Sequence, residues 1–146
     1  MVVQRTPDAL MRAYLIDVAQ HGNLDLIDEL AHPDMVDEAN QVFDGPPGAA
    51  GLKAHVTGFR RYVTDAELTI HRVVADADQV MAWWSFTGLH AGPWLGHPAT
   101  DAPVTGTVFS FFDLVDGRIS RYRLWLHAQF VGRSVTFDSS TGRRPI

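Results

Sequence analysis

An acid and an amide stand two residues apart in the segment DEAN, residues 37–40. Residues two apart share one face of a β-strand, so a strand here would point Glu38 and Asn40 the same way. If that face lines an apolar cavity, Glu38 could act as a general acid or base. Asn40 could then hold a carbonyl or enolate oxygen. In the competing interpretation, both side chains face water and their apolar neighbours form the core.

A second candidate is the connection TGLHAGPWLGHPATDAPV, residues 87–104, which combines three glycines and three prolines with polar and aromatic groups. His90 ends a predicted strand, where its side chain could enter a cavity. His97 lies further into the loop. Trp94 could close a cavity as part of a lid. The alternatives are a hydrogen-bonded structural role for His90 and hydrophobic packing for Trp94.

Two further groups lie on predicted helices. Tyr14 shares an apolar stripe with Leu10 and Val18, and could present its hydroxyl to a cavity or simply pack in the core. His55 lies about one turn from Phe59 on a later helix and leaves the same two interpretations open.

The chain lacks the sequence motifs of several common classes of enzyme. The chain has no glycine-rich nucleotide motif, no phosphate-binding loop and no serine-nucleophile motif. Its seven histidines show no spacing typical of metal ligands, and it contains no cysteine. We therefore expect no cofactor and no metal site.

The elements that must position these groups begin with helices. Thr6 and Pro7 predict the start of a first helix, and Gly22 its end. A short second helix precedes Pro33. A strand is predicted over residues 35–43, and a third helix over about residues 49–62.

The periodicity then changes to two. Long β-segments occupy residues 66–75, 79–90 and 104–131, and Asp116-Gly117 divides the last of them as a hairpin turn. This order predicts an α+β fold: three N-terminal helices packed in the concave face of a strongly curved, mostly antiparallel sheet. Such a sheet leaves a cavity where it meets the helices.

The strand over residues 79–90 is apolar on both faces. Its even-numbered face carries Trp84 and Phe86, and its odd-numbered face carries Met81 and Trp83. A strand with large apolar side chains on both faces needs a second packing partner on the face that does not meet its own core. We therefore predict a homodimer through the outer face of the sheet.

Composition fits one cytoplasmic domain. At 146 residues, the chain suits a single domain over residues 1–146, with a core of about 7–131 and a mobile or partner-clasping tail over 132–146. The net charge of −5 argues against nucleic acid as a partner, and no apolar run is long enough to span a membrane.

The loop that carries His90 also gives a resemblance to a known family. Thr87, Gly88, His90, Gly92, Gly96 and Thr100 follow the pattern T-G-x-H-x-G-x-x-x-G-x-x-x-T of SnoaL-like polyketide cyclases. These belong to a superfamily of cone-shaped domains similar to nuclear transport factor two and ketosteroid isomerase. The resemblance covers roughly residues 7–128.

The resemblance implies a deep hydrophobic pocket for a small hydrophobic substrate. Its walls would be formed by the even-numbered face of the strand over residues 79–90, which carries Trp84 and Phe86, and by Ser110, Phe112, Tyr122, Leu124 and Leu126 on neighbouring strands. The further candidates for substrate contact, from the predicted helix and loop, are His55, Phe59 and Trp94. The resemblance also implies a cofactor-independent cyclase of bacterial secondary metabolism. The chain departs from the family at three positions: Leu126 or His127 stands where aldol cyclases carry an acid, Glu38 near their usual histidine, and Asp113 near their usual arginine.

The hypothesis is therefore a cyclase acting on a polyketide-derived intermediate, by aldol-type or pericyclic chemistry. Glu38 is the candidate acid or base, with Asn40, Tyr14 and His90 as polar orienting groups. The rivals are a small-molecule binding protein without catalysis, and an epoxide-opening or hydroxylation-assisting member of the same fold.

Overall fold

A single six-stranded sheet dominates the computed structural model, which describes residues 4–145. The strands are β1 (Ala31–Asp37), β2 (Val63–Ala75), β3 (Gln79–His90), β4 (Pro103–Val115), β5 (Arg118–Phe130) and β6 (Arg133–Asp138). Their order is β1-β5-β4-β3-β2. The parallel pairing of β1 with β5 departs from the otherwise antiparallel sheet, and β6 also pairs with β5. The α+β prediction is confirmed.

Helices cover the inner face of this sheet. They are α1 (Pro7–Ala13), α2 (Ile27–Leu30), α3 (Glu38–Val42) and α4 (Ala49–Tyr62). The Thr6 hydroxyl accepts a hydrogen bond from the backbone of Ala9, so the predicted cap of α1 is confirmed. After Ala13 the chain continues as a π-helix over Tyr14–Gln20, which places Tyr14 at the junction of the two helical forms.

The predicted strand over residues 35–43 is wrong in its second half. Strand β1 ends at Asp37, and Glu38 already begins α3. Asp37 caps that helix, because its Oδ1 accepts from the Asn40 backbone at 3.2 Å. Glu38 and Asn40 therefore do not share a strand face.

The alternation predicted for β3 is confirmed. Val80, Ala82, Trp84, Phe86 and His90 are buried, whereas Met81 and Trp83 are exposed on the outer face. Register shifts interrupt the pairing within β2–β3, β4–β5 and β1–β5, and such bulges bend strands and increase their twist. The bent sheet can thus wrap around the helices.

The mobile or partner-clasping tail predicted for residues 132–146 includes a strand of the sheet. Residues 133–138 form β6, antiparallel to the second half of β5. Ser139 then accepts a hydrogen bond from the Leu124 backbone at 2.9 Å. Sequence periodicity missed this strand because it is short and lies at the edge of the sheet.

Candidate functional site

Two adjoining cavities lie between the helices and the inner face of the sheet. The inner cavity has a volume of about 50 Å³, and the outer cavity about 290 Å³. They share the side chains of His55, Phe59, Trp94, Leu124 and Leu126. Because the inner cavity is so small, it can hold only a few atoms of a ligand.

His55, on α4, stands at the junction of the cavities and pairs with a buried acid. Its Nδ1 lies 2.6 Å from Oδ2 of Asp37, whose side chain is 1% exposed. The imidazole is 25% exposed and lies parallel to the ring of Tyr122. When Nδ1 donates to Asp37, Nε2 of a neutral imidazole is left as the basic nitrogen.

Two opposing effects set the proton affinity of His55. Burial alone lowers the pKa of its imidazole, but the charge of Asp37 and the hydrogen bond to it raise the pKa more, so the net change is upward. His55 therefore holds a proton more readily than a free histidine, and its imidazole can both accept a proton and return it.

Three polar side chains form a hydrogen-bonded chain beside the inner cavity. The Trp84 indole donates to Oγ of Ser110 at 2.9 Å, and this oxygen lies 2.8 Å from the Tyr122 hydroxyl. Ser110 is fully buried behind the cavity wall, whereas Trp84 and Tyr122 line the cavity. The predicted strand faces thus bring these residues together.

Tyr14 is the second phenol of the inner cavity. Its ring lies edge-on to Tyr122, with centroids 5.6 Å apart. Burial is the largest cause that raises the pKa of both phenols, and the charge of Asp37 raises both as well. Tyr14 and Tyr122 therefore remain protonated at neutral pH and can donate hydrogen bonds.

Trp94 reaches both cavities from a tight turn in the loop between β3 and β4. Trp94 and His97 exchange two backbone hydrogen bonds of 2.9 Å, and Leu95 and Gly96 between them have positive φ, as a type I′ turn requires. The indole packs against Phe59, Phe86 and Phe130, with ring centroids 5.9–6.0 Å apart. Trp94 thus forms part of both cavity walls.

His90 lies outside both cavities. Its Nδ1 lies 3.2 Å from the Thr100 hydroxyl and its ring packs on Phe130, so the prediction that it enters the cavity is wrong. Its Nε2 is buried and has no hydrogen-bond partner among residues 4–145. Burial is the main cause that lowers the pKa of His90, which favours the neutral ring.

Glu38 also points away from the cavities. Its carboxylate accepts hydrogen bonds from Arg121 at 2.7 Å and Ser139 at 3.2 Å, and Arg123 lies 3.4 Å away. It faces these groups because α3 begins at this residue and breaks the strand alternation. The prediction that Glu38 faces the cavity is therefore wrong.

Asn40 lines the outer cavity, but its side chain is already hydrogen-bonded to the backbone. Its side-chain nitrogen donates to the Pro46 carbonyl at 2.7 Å and so supports the turn before α4. The amide packs so closely against Gly45 and Gly51 that a side chain at either glycine would collide with it.

The remaining predicted wall residues divide into two groups. His55, Phe59, Trp84, Phe86, Trp94, Tyr122, Leu124 and Leu126 line the inner cavity, together with Tyr14. Phe112 does not; it is completely buried and packs edge-on against Tyr14 and Tyr122. Phe112 therefore supports the phenols from behind.

The sequence pattern of the SnoaL-like polyketide cyclases matches residues 9–132. The chain belongs to this family. A search of curated protein sequences finds no match.

Solved structures share the SnoaL-like fold. TsrD from Streptomyces laurentii is 24% identical, with 86% of this chain and 89% of that chain covered and a TM-score of 0.71. A SnoaL-like polyketide cyclase from Agrobacterium tumefaciens is 20% identical, with 87% and 94% covered and a TM-score of 0.70. AclR from Streptomyces galilaeus, named as a hydroxylase, is 20% identical, with 82% and 77% covered and a TM-score of 0.64.

Asp37, the buried acid that pairs with His55, is a residue of this site that sequence analysis of the SnoaL-like chain missed. It stands next to Glu38 in the same segment, and its position before a short helix is a capping signal that could have drawn attention to it. Its partner His55 comes 18 residues later on another helix, so no local spacing reveals the pair.

Candidate metal sites and membrane-spanning helices are absent from residues 4–145. No group of three or more histidine, cysteine, aspartate or glutamate side chains in that range is placed to hold a metal ion. None of the helices there has the length and apolar character needed to cross a membrane.

Proposed function

We propose that this protein closes a ring in a hydrophobic, polyketide-derived intermediate by aldol-type chemistry, with His55 as the base. The family supports cyclisation as the reaction class, and the bacterial sources of the similar solved structures support a role in bacterial secondary metabolism. We place it in the cytoplasm, whose reducing conditions suit a cysteine-free chain. The observation that carries the proposal is the His55–Asp37 pair at the junction of the two cavities.

Each of the two cavities binds a different part of the substrate. The outer cavity holds the apolar carbon skeleton, and a ketone oxygen enters the inner cavity toward the hydroxyls of Tyr14 and Tyr122. The carbon next to that ketone then lies at the junction, beside His55. Asp37 holds the imidazole through Nδ1, so Nε2 is the nitrogen that meets this carbon.

Ring closure proceeds by two proton transfers. Nε2 of His55 takes a proton from the carbon beside the ketone, and the electrons of the broken C–H bond form an enolate. Its carbon attacks a second carbonyl carbon of the same molecule, a new C–C bond forms, and the alkoxide that results takes a proton from protonated His55. Asp37 stabilises the charged imidazole between these steps. The atoms balance without an oxidant, a reductant or a cofactor.

The test uses a diketone in which three methylene groups separate a naphthyl ketone from a methyl ketone. Attack of the methyl carbon on the naphthyl ketone gives a six-membered ring, and loss of water gives a conjugated cyclohexenone that absorbance and mass spectrometry detect. We expect the wild-type protein to accelerate closure and His55→Gln to lose about 100-fold or more of that acceleration.

Glu38→Gln is the matched control, because Glu38 is a buried acid outside the cavities. It should retain the wild-type rate. Equal rates for the wild type and His55→Gln contradict the role of His55 and favour pericyclic closure, in which the cavity only holds the chain in its reactive fold. Binding without acceleration contradicts catalysis and favours a binding protein.

We also propose that two copies associate through the outer face of the sheet. Trp83, Phe109 and Trp125 form a row across β3, β4 and β5, with ring centroids 6.3 and 5.9 Å apart, and all three are exposed. Exposed aromatic rows of this kind are typical of protein interfaces. Trp83→Arg should turn a dimer into a monomer in analytical ultracentrifugation. A wild-type protein that is monomeric at high concentration contradicts the proposal.

A further inference from the structure

The hydrogen bonds behind the inner cavity have a defined direction. The indole of Trp84 has one polar hydrogen and accepts no hydrogen bond, so it must donate to Oγ of Ser110. Ser110 thus uses one lone pair as an acceptor. Its own hydroxyl proton still needs a partner, because the residue is fully buried.

The Tyr122 oxygen is the acceptor available to that proton. Among residues 4–145, Ser110 makes side-chain hydrogen bonds with Trp84 and Tyr122 alone. If Tyr122 donated to Ser110 instead, the serine proton would be buried without an acceptor, at a cost of about 1–3 kcal/mol. The favoured direction is therefore Trp84 to Ser110 to Tyr122.

The hydroxyl proton of Tyr122 is then not used in its hydrogen bond with Ser110. The nearby carboxylate of Asp37 is already occupied, since one oxygen accepts from the Asn40 backbone and the other lies against His55. Tyr122 lines the inner cavity, so its O–H can donate to a ligand atom there. Tyr14 is the other phenol that borders this space. Its hydroxyl interacts with that of Tyr122 as the donor, which adds to the larger effect of burial in raising the pKa of Tyr14 and leaves the Tyr122 proton free for a ligand.

We propose that Trp84 and Ser110 are positioning residues that fix Tyr122 as a hydrogen-bond donor, so that the inner cavity selects a ketone or enolate oxygen. This inference rests on the proposed function for the identity of the reacting group. It adds that the specificity of the inner cavity depends on two residues of which one, Ser110, does not touch the substrate.

The test measures a bound ketone directly and needs no turnover. The probe is acetylnaphthalene with an isotope-labelled carbonyl, and isotope-edited infrared difference spectra report the stretching frequency of its bound C=O group. A hydrogen bond lowers this frequency relative to the same ketone in cyclohexane. We expect a lowered frequency in the wild-type protein and a return to the cyclohexane value in Tyr122→Phe.

For a variant of the positioning residue Ser110, we expect a C=O frequency between those of the wild type and Tyr122→Phe. Ser110→Ala removes the donor to Tyr122, so its proton is no longer directed and the bound frequency should rise part of the way. The ketone should bind the wild type about 3- to 10-fold more tightly than ethylnaphthalene, which lacks the carbonyl. Ser110→Ala should reduce this ratio and leave the affinity for ethylnaphthalene unchanged.

Tyr62→Phe is the matched control, because it removes a phenol hydroxyl that lines the outer cavity. It should leave the bound frequency unchanged. Circular dichroism and thermal unfolding verify that each variant is folded.

Several results overturn the inference: an unlowered frequency in the wild type, equal frequencies in the wild type and Tyr122→Phe, loss of the shift in Tyr14→Phe instead, or no binding of either probe. The infrared result and the ring-closure result can fail independently of each other. A lowered frequency without ring closure supports the inference and contradicts the cyclase. Ring closure without the lowered frequency does the reverse.

Discussion

Replacing Asp37 with asparagine should remove the pH dependence of stability that His55 creates. Burial lowers the His55 pKa, but the charge and hydrogen bond of Asp37 outweigh burial, so the folded pKa lies above the ordinary value of 6.5. Between these two pKa values the folded protein binds more protons than the unfolded chain. The free energy of unfolding therefore falls as pH rises, by at most about 1.4 kcal/mol per pH unit.

The stabilisation by His55 is complete below its unfolded pKa and is lost as pH rises through the folded pKa. In Asp37→Asn the charge is absent and burial remains, so the fall with rising pH should disappear or reverse. Urea unfolding at several pH values on both sides of the ordinary histidine pKa measures the effect. The assay remains above the range in which carboxyl groups titrate.

Two comparisons isolate His55. His90, whose pKa is lowered mainly by burial, contributes with the opposite sign in both proteins and cancels in their difference. Asp34→Asn is the matched control, since Asp34 is an exposed acid on the same strand and should preserve the wild-type dependence. Parallel dependences for the wild type and Asp37→Asn would refute the reasoning.

Three further substitutions probe the structure around the cavities. Ser139→Ala leaves the Leu124 N–H without its side-chain acceptor, so urea unfolding should show a loss of about 1–3 kcal/mol; an unchanged midpoint contradicts this. Gly106→Ala places a methyl group against the Phe86 ring and should lower the stability to heat by about 1–3 kcal/mol, whereas full stability would show that the ring moves freely. Trp94→Ala removes a wall of both cavities, and calorimetry should show at least about tenfold weaker binding of acetylnaphthalene; equal affinity contradicts that role.

Much of the fold follows from local signals in the sequence. The Thr6 cap, the alternation along β3 and the Asp116-Gly117 turn each depend on a few neighbouring residues, and the structure confirms all three. These features need no knowledge of distant contacts.

The site was only partly predictable, because its chemistry depends on distant residues. The predicted strand continues past Asp37, but the chain turns into α3 at that point, so Glu38 faces away from the cavities. Asp37 and His55 meet because β1 and α4 pack together, which local spacing does not encode. His90 fits the family pattern in sequence, but it supports the loop from outside the cavities.

Proton exchange at a bound ketone tests the central claim most directly. In heavy water, a base beside the methyl group of acetylnaphthalene replaces its hydrogens with deuterium, which NMR follows without any ring closure. We predict that the wild-type protein and Glu38→Gln catalyse this exchange and that His55→Gln does not. Exchange at the wild-type rate in His55→Gln would contradict the assignment of the base.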